Sequence, residues 1–264
     1  MDSYQAVAFF IVAHQDDWQL FMNPNAAIDL ASPNNKVVFV HVTAGDAGRD
    51  ETYWSAREAG AIASVRFRLA PLGWLQESHA TVEHGSRPVH VWSGRNALCY
   101  FLRLPDGSFD GSGSERFQRQ SLARLKQGLT PLAAVDGSAT YRAWGDLLAT
   151  LHSILITESQ GIRSICINDH DPSPAHNPGD HSDHYHVGHA VDETPGAERF
   201  KRHRFIGYHL KESHIQLRGA ELFWKIGMFS AYDRAVYDAC RHSTLGEGGD
   251  YLKWCLRGAR HRRA

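Results

Sequence analysis

Cysteine is scarce in this sequence of 264 residues, which has only four of them. They stand at Cys99, Cys166, Cys240 and Cys255, and no two form a C-x-x-C pair. This spacing argues against a cysteine-based zinc finger and against a thioredoxin-type site. The sequence leaves open whether Cys240 and Cys255 form a disulfide.

Long apolar runs are also missing, since none approaches the roughly 20 residues that span a bilayer. Charge of one sign is not in excess, because 28 basic residues stand against 29 acidic ones. The chain therefore has no broad field that would attract nucleic acid. The first residues lack the basic region and cleavage site of a signal peptide, so the sequence as given predicts a cytoplasmic protein.

The composition is that of a folded globular protein, with 42% hydrophobic and 22% charged residues. Short runs, mostly near-continuously apolar, alternate with helical patterns, which predicts parallel β-α-β units. The predicted strands are 6–12, 36–43, 65–70, 163–168 and 204–209. The predicted helices are 52–64, 141–157, 183–191 and 215–229. We expect an α/β fold with a Rossmann-like, doubly wound and mostly parallel sheet.

Residues 84–137 interrupt this alternation. They are rich in glycine and serine, with strands near 89–92 and 97–104. We interpret them as a loop-rich insertion beside the active site, within a single domain that covers residues 1–264. The final segment, about 256–264, carries four arginines and is expected to be a solvated tail.

Two short polar segments each follow a predicted strand. The first reads A-H-Q-D-D at 13–17, and the second reads H-S-D-H at 181–184. In open α/β sheets, ligands bind beyond the carboxyl ends of the strands. We therefore expect the two segments to meet in space although they are far apart in sequence.

The spacing within these segments suggests a metal site. If the chain turns into a helix after the first strand, His14 and Asp17 face the same way and Asp16 projects at a different angle. One carboxylate could then bind a metal while the other handles protons, with His184 as a third ligand. Three protein ligands and an open position are typical of catalytic zinc sites. Zn²⁺ is expected, but Fe²⁺ or another divalent metal suits the same donors.

Each segment taken alone has a plain structural explanation. An Asp-Asp pair after a strand usually caps a helix or lies in an exposed turn, and H-x-D-H is more often a polar helix start than a ligand set. Their joint presence at two strand ends of one chain favours a site.

With these motifs the sequence resembles the PIG-L/LmbE family of zinc-dependent N-acetylglucosaminyl deacetylases. The family's hallmarks are A-H-P-D-D after the first strand and H-P-D-H or H-x-D-H later. Further similarities are T-A-G-D-A-G at 43–48, R-E at 57–58 and F-L-R-L-P-D-G at 101–107, and the likeness spans about residues 5–232. Gln15 and Ser182 replace family prolines, which removes a fixed φ angle from each motif. Gly60 stands where the family often has an acid.

The resemblance implies a metal centre and a set of proton-handling residues. The implied metal ligands are His14, Asp17 and His184, in agreement with the spacing. Asp16 is implied to be the general base, and His181 is implied to stabilise or protonate the tetrahedral intermediate.

The same resemblance implies supporting roles for four more side chains. Asp183 would orient a histidine from outside the ligand set. Asp46, Arg57 and Asp106 would hold sugar hydroxyls.

The expected activity is hydrolysis of the N-acyl group, acetyl above all, from a small-molecule amino sugar or glycoconjugate. One alternative is an amidase that acts on a sugar-linked thiol conjugate. Another is a non-catalytic, metal-dependent sugar-binding module, which would not need the proton-transfer pair. A nucleotide-binding Rossmann protein is disfavoured because no G-x-G-x-x-G follows the first strand. The sugar, the aglycone and the oligomeric state stay open.

Overall fold

The computed structural model describes residues 4–246 and 248–263. The strands in this part are β1 (Ala6–Val12), β2 (Asn35–Thr43), β3 (Ser78–His84), β4 (Arg87–Gly94), β5 (Ala97–Leu104), β6 (Leu132–Ala133), β7 (Thr140–Tyr141), β8 (Ser164–His170), β9 (Lys201–Phe205) and β10 (His261–Arg263). The α-helices are α1 (Asp17–Phe21), α2 (Asn25–Ala31), α3 (Glu51–Leu69), α4 (Leu122–Lys126), α5 (Trp144–Ser159), α6 (Ser182–Glu193), α7 (Gly219–Cys240) and α8 (Tyr251–Cys255). Short 3₁₀ turns lie at Ala70–Leu72, Ala197–Arg199 and Tyr208–Glu212.

The main sheet has the strand order β10-β9-β8-β1-β2-β5-β4-β3. The central strands β9, β8, β1, β2 and β5 run parallel, and β10, β4 and β3 pair antiparallel at the two edges. β6 and β7 form a separate small hairpin. The predicted doubly wound and mostly parallel α/β sheet is therefore confirmed.

The two faces of the sheet are covered by different helices. Phe10 and Phe39 face a core that includes side chains from α2, α3, α7 and α8. Phe9 and Val38 point the other way, into a core built with α5 and α6. Successive side chains of a strand point to opposite faces. Because both faces are buried, β1 and most of β2 are continuously apolar, which is why their sequence pattern is strong.

The strand predicted at 65–70 is wrong, because these residues end α3. Val65 and Leu69 lie four positions apart on the helix and are both fully buried in the same core. Arg68 between them donates from Nε to the carbonyl oxygen of Ala27, 2.8 Å away. The run V-R-F-R-L fits both a two-residue and a four-residue spacing, and short runs of this kind do not distinguish strand from helix.

Two other predicted ranges are shifted. The strand predicted at 204–209 is β9 at Lys201–Phe205, and the chain then leaves the sheet for the 3₁₀ turn Tyr208–Glu212. The helix predicted at 215–229 is α7, which begins at Gly219 and continues to Cys240. The remaining predicted helices and strands are present, with bounds that differ from the prediction by at most five residues.

The segment expected to be an insertion at 84–137 contributes two strands to the main sheet. β5 pairs in parallel with β2, and β4 pairs with β5. The loop-rich part begins only after Leu104, and it leads from the carboxyl end of β5 across the region of the polar motifs.

The expected solvated tail is also partly wrong. His261–Arg263 forms the edge strand β10 against β9, and Arg262 is ion-paired with Asp171 at 2.6 Å. An open sheet edge and a buried carboxylate together explain why these residues are ordered. The four cysteines are free thiols, so Cys240 and Cys255 are not paired. Within the described residues, no helix combines the length and the apolar character needed to cross a membrane.

Candidate active site

The two polar motifs meet at the carboxyl ends of neighbouring strands. β1 and β8 run side by side in parallel, with Ile11 opposite Asp169. The first motif forms the turn between β1 and α1, and the second forms the start of α6 after the loop that follows β8. The topology therefore brings together residues that are about 170 positions apart in sequence.

Three donor atoms from the two motifs form a compact triangle. Nδ1 of His14 lies 3.4 Å from Oδ1 of Asp17 and 3.3 Å from Nε2 of His184. The same Oδ1 lies 3.1 Å from His184 Nε2. Ligands bound to one zinc ion at about 2.0–2.1 Å, with tetrahedral angles, are about 3.3–3.4 Å apart. The residues His14, Asp17 and His184 are all buried, and their spacing fits a single cation.

The electrostatics of this triangle also suit a cation. Burial disfavours the charged form of His184, but Asp17 and Asp180 outweigh it and raise the pKa of His184 to about 10. His14 is likewise buried, yet Asp17 and Asp183 raise its pKa well above the usual value. The carboxylates thus favour positive charge at this point of the protein, whether it is carried by a proton or by a metal ion.

Two residues that sequence reasoning missed contact the members of the triangle from outside it. Asp180 Oδ1 lies 2.9 Å from Nδ1 of His184, the nitrogen that faces away from the triangle. His170 stacks on His184 with ring centroids 4.0 Å apart, and its Nε2 lies 3.1 Å from Asp17 Oδ2. Metal-bound histidines commonly donate their second N–H to a carboxylate in this way. Asp180 lies four residues before His184, a spacing that could have flagged it.

Asp16 is not part of the triangle and is held by a buried arginine. Arg57 Nη2 donates a very short hydrogen bond to Asp16 Oδ1. Its Nη1 donates to the carbonyl oxygen of Gly45 at 2.6 Å, and its Nε donates to the hydroxyl of Tyr232 at 2.7 Å. Each nitrogen of the guanidinium therefore has a protein partner. Arg57 lines the cavity but is engaged in orienting Asp16.

The positions where the chain departs from the family pattern are explained by their contacts. Gln15, which replaces a proline, donates from Nε2 to the carbonyl oxygen of Thr43 at 2.9 Å, so a hydrogen bond ties the loop. Gly60 packs against Tyr232, and a Cβ there would lie 2.6 Å from the Tyr232 ring. The missing acid thus makes room for the tyrosine that holds Arg57.

His181 caps the N-terminus of α6. Its Nδ1 accepts the backbone N–H of Asp183 at 3.1 Å, so in the neutral ring the proton is on Nε2. Burial, and then the neighbouring His14, lowers the pKa of His181 to about 4. His181 lines the cavity and is arranged there as a neutral hydrogen-bond donor.

Asp183 lies beneath the site and does not line the cavity. Its Oδ2 accepts the backbone N–H of Gly107 at 2.8 Å and lies 3.5 Å from Nε2 of His14. A Cβ at position 107 would come within 2.5 Å of Asp183 Oδ1, so this approach needs glycine. The structure thus places Asp183 where it can orient His14.

The two acids expected to bind sugar differ in position. Asp106 lines the cavity, with Oδ2 3.6 Å from Nε2 of His14. Asp46 is fully buried, and its two oxygens accept the backbone N–H groups of Asp106 at 2.7 Å and Gly48 at 2.9 Å. Burial raises the pKa of Asp46 to about 6, although the hydrogen bond from the backbone of Asp106 lowers it. Asp46 therefore supports the loop that presents Asp106.

The site opens into a cavity of about 390 Å³. One side is polar and includes Asp16, Asp106 and His181. An aromatic wall completes the lining and is made of Phe21, Phe109, Tyr208, Tyr251 and Trp254. The rings of Tyr208 and Trp254 are 4.9 Å apart, and those of Phe21 and Trp254 are 5.3 Å apart. Three of these five residues, Tyr208, Tyr251 and Trp254, follow the second motif in the sequence, where no motif pointed to the site.

The fold and the site together define an α/β protein with a buried histidine–carboxylate centre that could hold a metal ion beside a cavity. Residues 9–194 match the PIG-L family, described as GlcNAc-PI de-N-acetylase. Because this match covers more than half of the chain, the protein belongs to that family of de-N-acetylases. No curated protein sequence matches the chain.

Several solved structures are similar to this chain at low sequence identity. One is a deacetylase–bog complex in the biosynthesis pathway of teicoplanin, with 12% identity, a TM-score of 0.50, and coverage of 94% of this chain and 89% of that chain. The zinc-inhibited form of teicoplanin deacetylase Orf2 has 12% identity, a TM-score of 0.48, and coverage of 88% and 84%. The A40926 pseudoaglycone deacetylase Dbv21 has 12% identity, a TM-score of 0.47, and coverage of 99% and 96%.

Proposed function

We propose that this protein is a metal-dependent hydrolase that removes the N-acyl group, acetyl above all, from an amino sugar or glycoconjugate. The observation that supports this most is the meeting of the triangle His14, Asp17 and His184 with Asp16 and His181 at one cavity. Family membership supports the same class of reaction. The products are a carboxylate and a free amine.

In this proposal, His14, Asp17 and His184 hold one divalent cation, Zn²⁺ first, with Fe²⁺ or another divalent metal compatible with the same donors. When bound, such a cation polarises an acyl carbonyl and lowers the pKa of water. Asp180 would orient His184 by accepting a hydrogen bond from the nitrogen that faces away from the triangle. Asp183, 3.5 Å from His14 Nε2, would orient His14 by charge and not through a short hydrogen bond.

Asp16 is the proposed general base. Arg57 holds its Oδ1, and the carboxylate lines the cavity where water and substrate would meet. Asp16 would accept the proton of the attacking water. Fixing the base within hydrogen-bonding reach of that proton is the main requirement for such a role.

His181 is proposed to stabilise the oxyanion of the tetrahedral intermediate. Because Nδ1 is used as the helix cap, Nε2–H is the group that can donate to that oxygen. A ring held neutral in this way is a hydrogen-bond donor and a poor acid. The proton that Asp16 takes from water is then the one available to the leaving nitrogen.

The substrate would contact both the polar side chains and the aromatic wall of the cavity. Asp106 would accept hydrogen bonds from sugar hydroxyls, and the aromatic wall would pack against the apolar face of the sugar or its aglycone. In this arrangement Asp46 acts by supporting Asp106, and Arg57 acts by orienting Asp16.

The test combines metal analysis of the purified protein with an amine-release screen over N-acyl glucosamine derivatives. Asp16→Asn should keep the metal and the fold but lower kcat roughly 10²–10⁴-fold. Asp110→Asn is the matched control, since Asp110 is exposed and lies outside the site. An Asp16→Asn variant with normal turnover would remove Asp16 from the mechanism.

Two outcomes of the same screen would point to the alternatives. Hydrolysis of a sugar-linked thiol conjugate, without turnover of the glucosamine derivatives, would favour the amidase. Metal-dependent sugar binding without any amine product would favour a binding module.

A further inference from the structure

A second set of metal-type donors lies on the other side of His14. It consists of His14, Asp106, His181 and Asp183, all buried, with one donor atom from each within 4.8 Å of the others. The triangle faces Nδ1 of His14, whereas this second set faces Nε2 of the same ring. The two sets therefore share a single imidazole.

The spacing in this second set is not that of hydrogen bonds. His14 Nε2 lies 3.5 Å from Asp183 Oδ2 and 3.6 Å from Asp106 Oδ2, and His181 Nε2 lies 3.8 Å from Asp106 Oδ1. Hydrogen bonds between nitrogen and oxygen are about 2.7–3.2 Å long. Ligands around one metal ion, bound at about 2.0–2.2 Å, are separated by about 3.3–3.6 Å.

Two buried atoms of this set lack a partner among the described residues. His14 Nε2 and Asp183 Oδ1 make no hydrogen bond there, although most buried polar atoms do. Nor does any lysine or arginine of residues 4–246 and 248–263 form an ion pair with Asp106 or Asp183. Two carboxylates and an unpartnered ring nitrogen thus face one another without a fixed positive charge.

We propose that Asp106, His181 and Asp183 form a second divalent-cation site, with His14 Nε2 as a neighbouring fourth donor. This site is weaker than the triangle for two reasons. Asp106 and Asp183 already accept backbone N–H groups, from Ser108 and Gly107 at 2.8 Å each. The ring nitrogens that face this site also carry protons. His14 must lose its remaining ring proton, and His181 must move its proton from Nε2 to Nδ1 and release the helix cap, before either nitrogen can bind the ion.

Occupancy of the second site has a consequence for the reaction. A cation there engages Asp106 and His181, the residues proposed above to hold the sugar and the oxyanion. Excess metal and substrate then compete for the same groups. This consequence, inhibition by metal beyond one equivalent, rests on the proposed function, whereas the binding of a second ion does not.

The test is a Zn²⁺ titration of chelator-stripped protein, followed by calorimetry and native mass spectrometry. The wild type should bind two ions in two steps. Asp106→Asn and His181→Gln should each weaken the second step at least about tenfold and keep the first, as expected for loss of a ligand. Asp17→Asn should lose the first step. Asp110→Asn, on the same loop as Asp106, is the control that keeps both.

Several results would overturn the inference. The inference fails if the wild type binds only a single ion at millimolar Zn²⁺. It also fails if the second binding step is unchanged in both Asp106→Asn and His181→Gln. Circular dichroism identifies a variant that fails to fold, and the other variant then carries the test. If the second step is absent but Asp17→Asn still removes the first, only this inference fails. If Asp17→Asn binds zinc like the wild type, the proposed function fails.

Discussion

Tyr232 lies outside both motifs, yet the structure links it to the proposed general base through one arginine. Its hydroxyl accepts the Nε–H of Arg57 at 2.7 Å, and the Nη2 of Arg57 holds Asp16. Tyr232→Phe removes only this hydroxyl and keeps the ring that packs on Gly60. The substitution therefore tests whether the orientation of Asp16 depends on α7.

The size of the effect follows from burial and charge. Arg57 and Tyr232 are both buried, so Tyr232→Phe leaves a charged N–H without a partner and water cannot replace it easily. A hydrogen bond to a charged group contributes about 1.5–3 kcal/mol. We expect the free energy of unfolding to fall by about that amount. If the same energy is expressed in the transition state, kcat falls about 10- to 100-fold.

The assay compares kcat, KM and metal content with those of the wild type. KM and bound metal should not change, because Tyr232 contacts neither the triangle nor the polar side of the cavity in the described structure. Tyr237→Phe is the matched control, since Tyr237 lies on the same helix and is 42% exposed. Unchanged kcat in Tyr232→Phe, with Asp16→Asn inactive, would refute the idea that Arg57 orients Asp16 through Tyr232.

Three further predictions concern metal binding, pH and packing. Asp180→Asn should weaken Zn²⁺ binding about 10- to 100-fold, because Asp180 orients His184. Competition with a chelator measures the affinity, and an affinity equal to that of the wild type would contradict the prediction. Burial raises the pKa of Asp29 to about 6, so its ionisation opposes folding and the free energy of unfolding decreases as the pH rises from about 4 to about 7. Asp29→Asn should thus be more stable than the wild type at about pH 7, by an amount on the order of 1–3 kcal/mol, and equally stable below about pH 4. Denaturant unfolding at both pH values measures this. If the difference in stability is the same at both, the ionisation of Asp29 does not cause the loss of stability. Gly60→Ala should destabilise the protein by about 1–3 kcal/mol, since the added Cβ would lie 2.6 Å from the ring of Tyr232. An unchanged Tm would show that α3 and α7 can move apart without loss of stability.

Much of the fold could be predicted because its signals are local. The strands at 6–12 and 36–43 are buried on both faces, so most of their residues are apolar and the runs were unambiguous. Segment 65–70 failed because its alternating pattern also fits one face of a helix, and only the packing of Val65 and Leu69 into a single core distinguishes the two.

The site was predictable where its residues lie next to one another in sequence. His14 and Asp17 are separated by one turn, so their convergence followed from local geometry. Arg57 and Asp46 were harder, because the same residue types could either contact a sugar or support the loops. Their hydrogen bonds to Asp16 and to the backbone of Asp106 place them in supporting positions.

By itself, the sequence determined which donor groups stand at the ends of two strands and how they are spaced within each motif, since short stretches of backbone impose that spacing. Only the tertiary structure decided which partners surround them. His170 behind Asp17, Tyr232 behind Arg57 and the aromatic wall become neighbours through the sheet order and the packing of α7 and α8. Contacts between residues so distant in sequence depend on how whole elements pack, and no periodicity or spacing in a single chain records them.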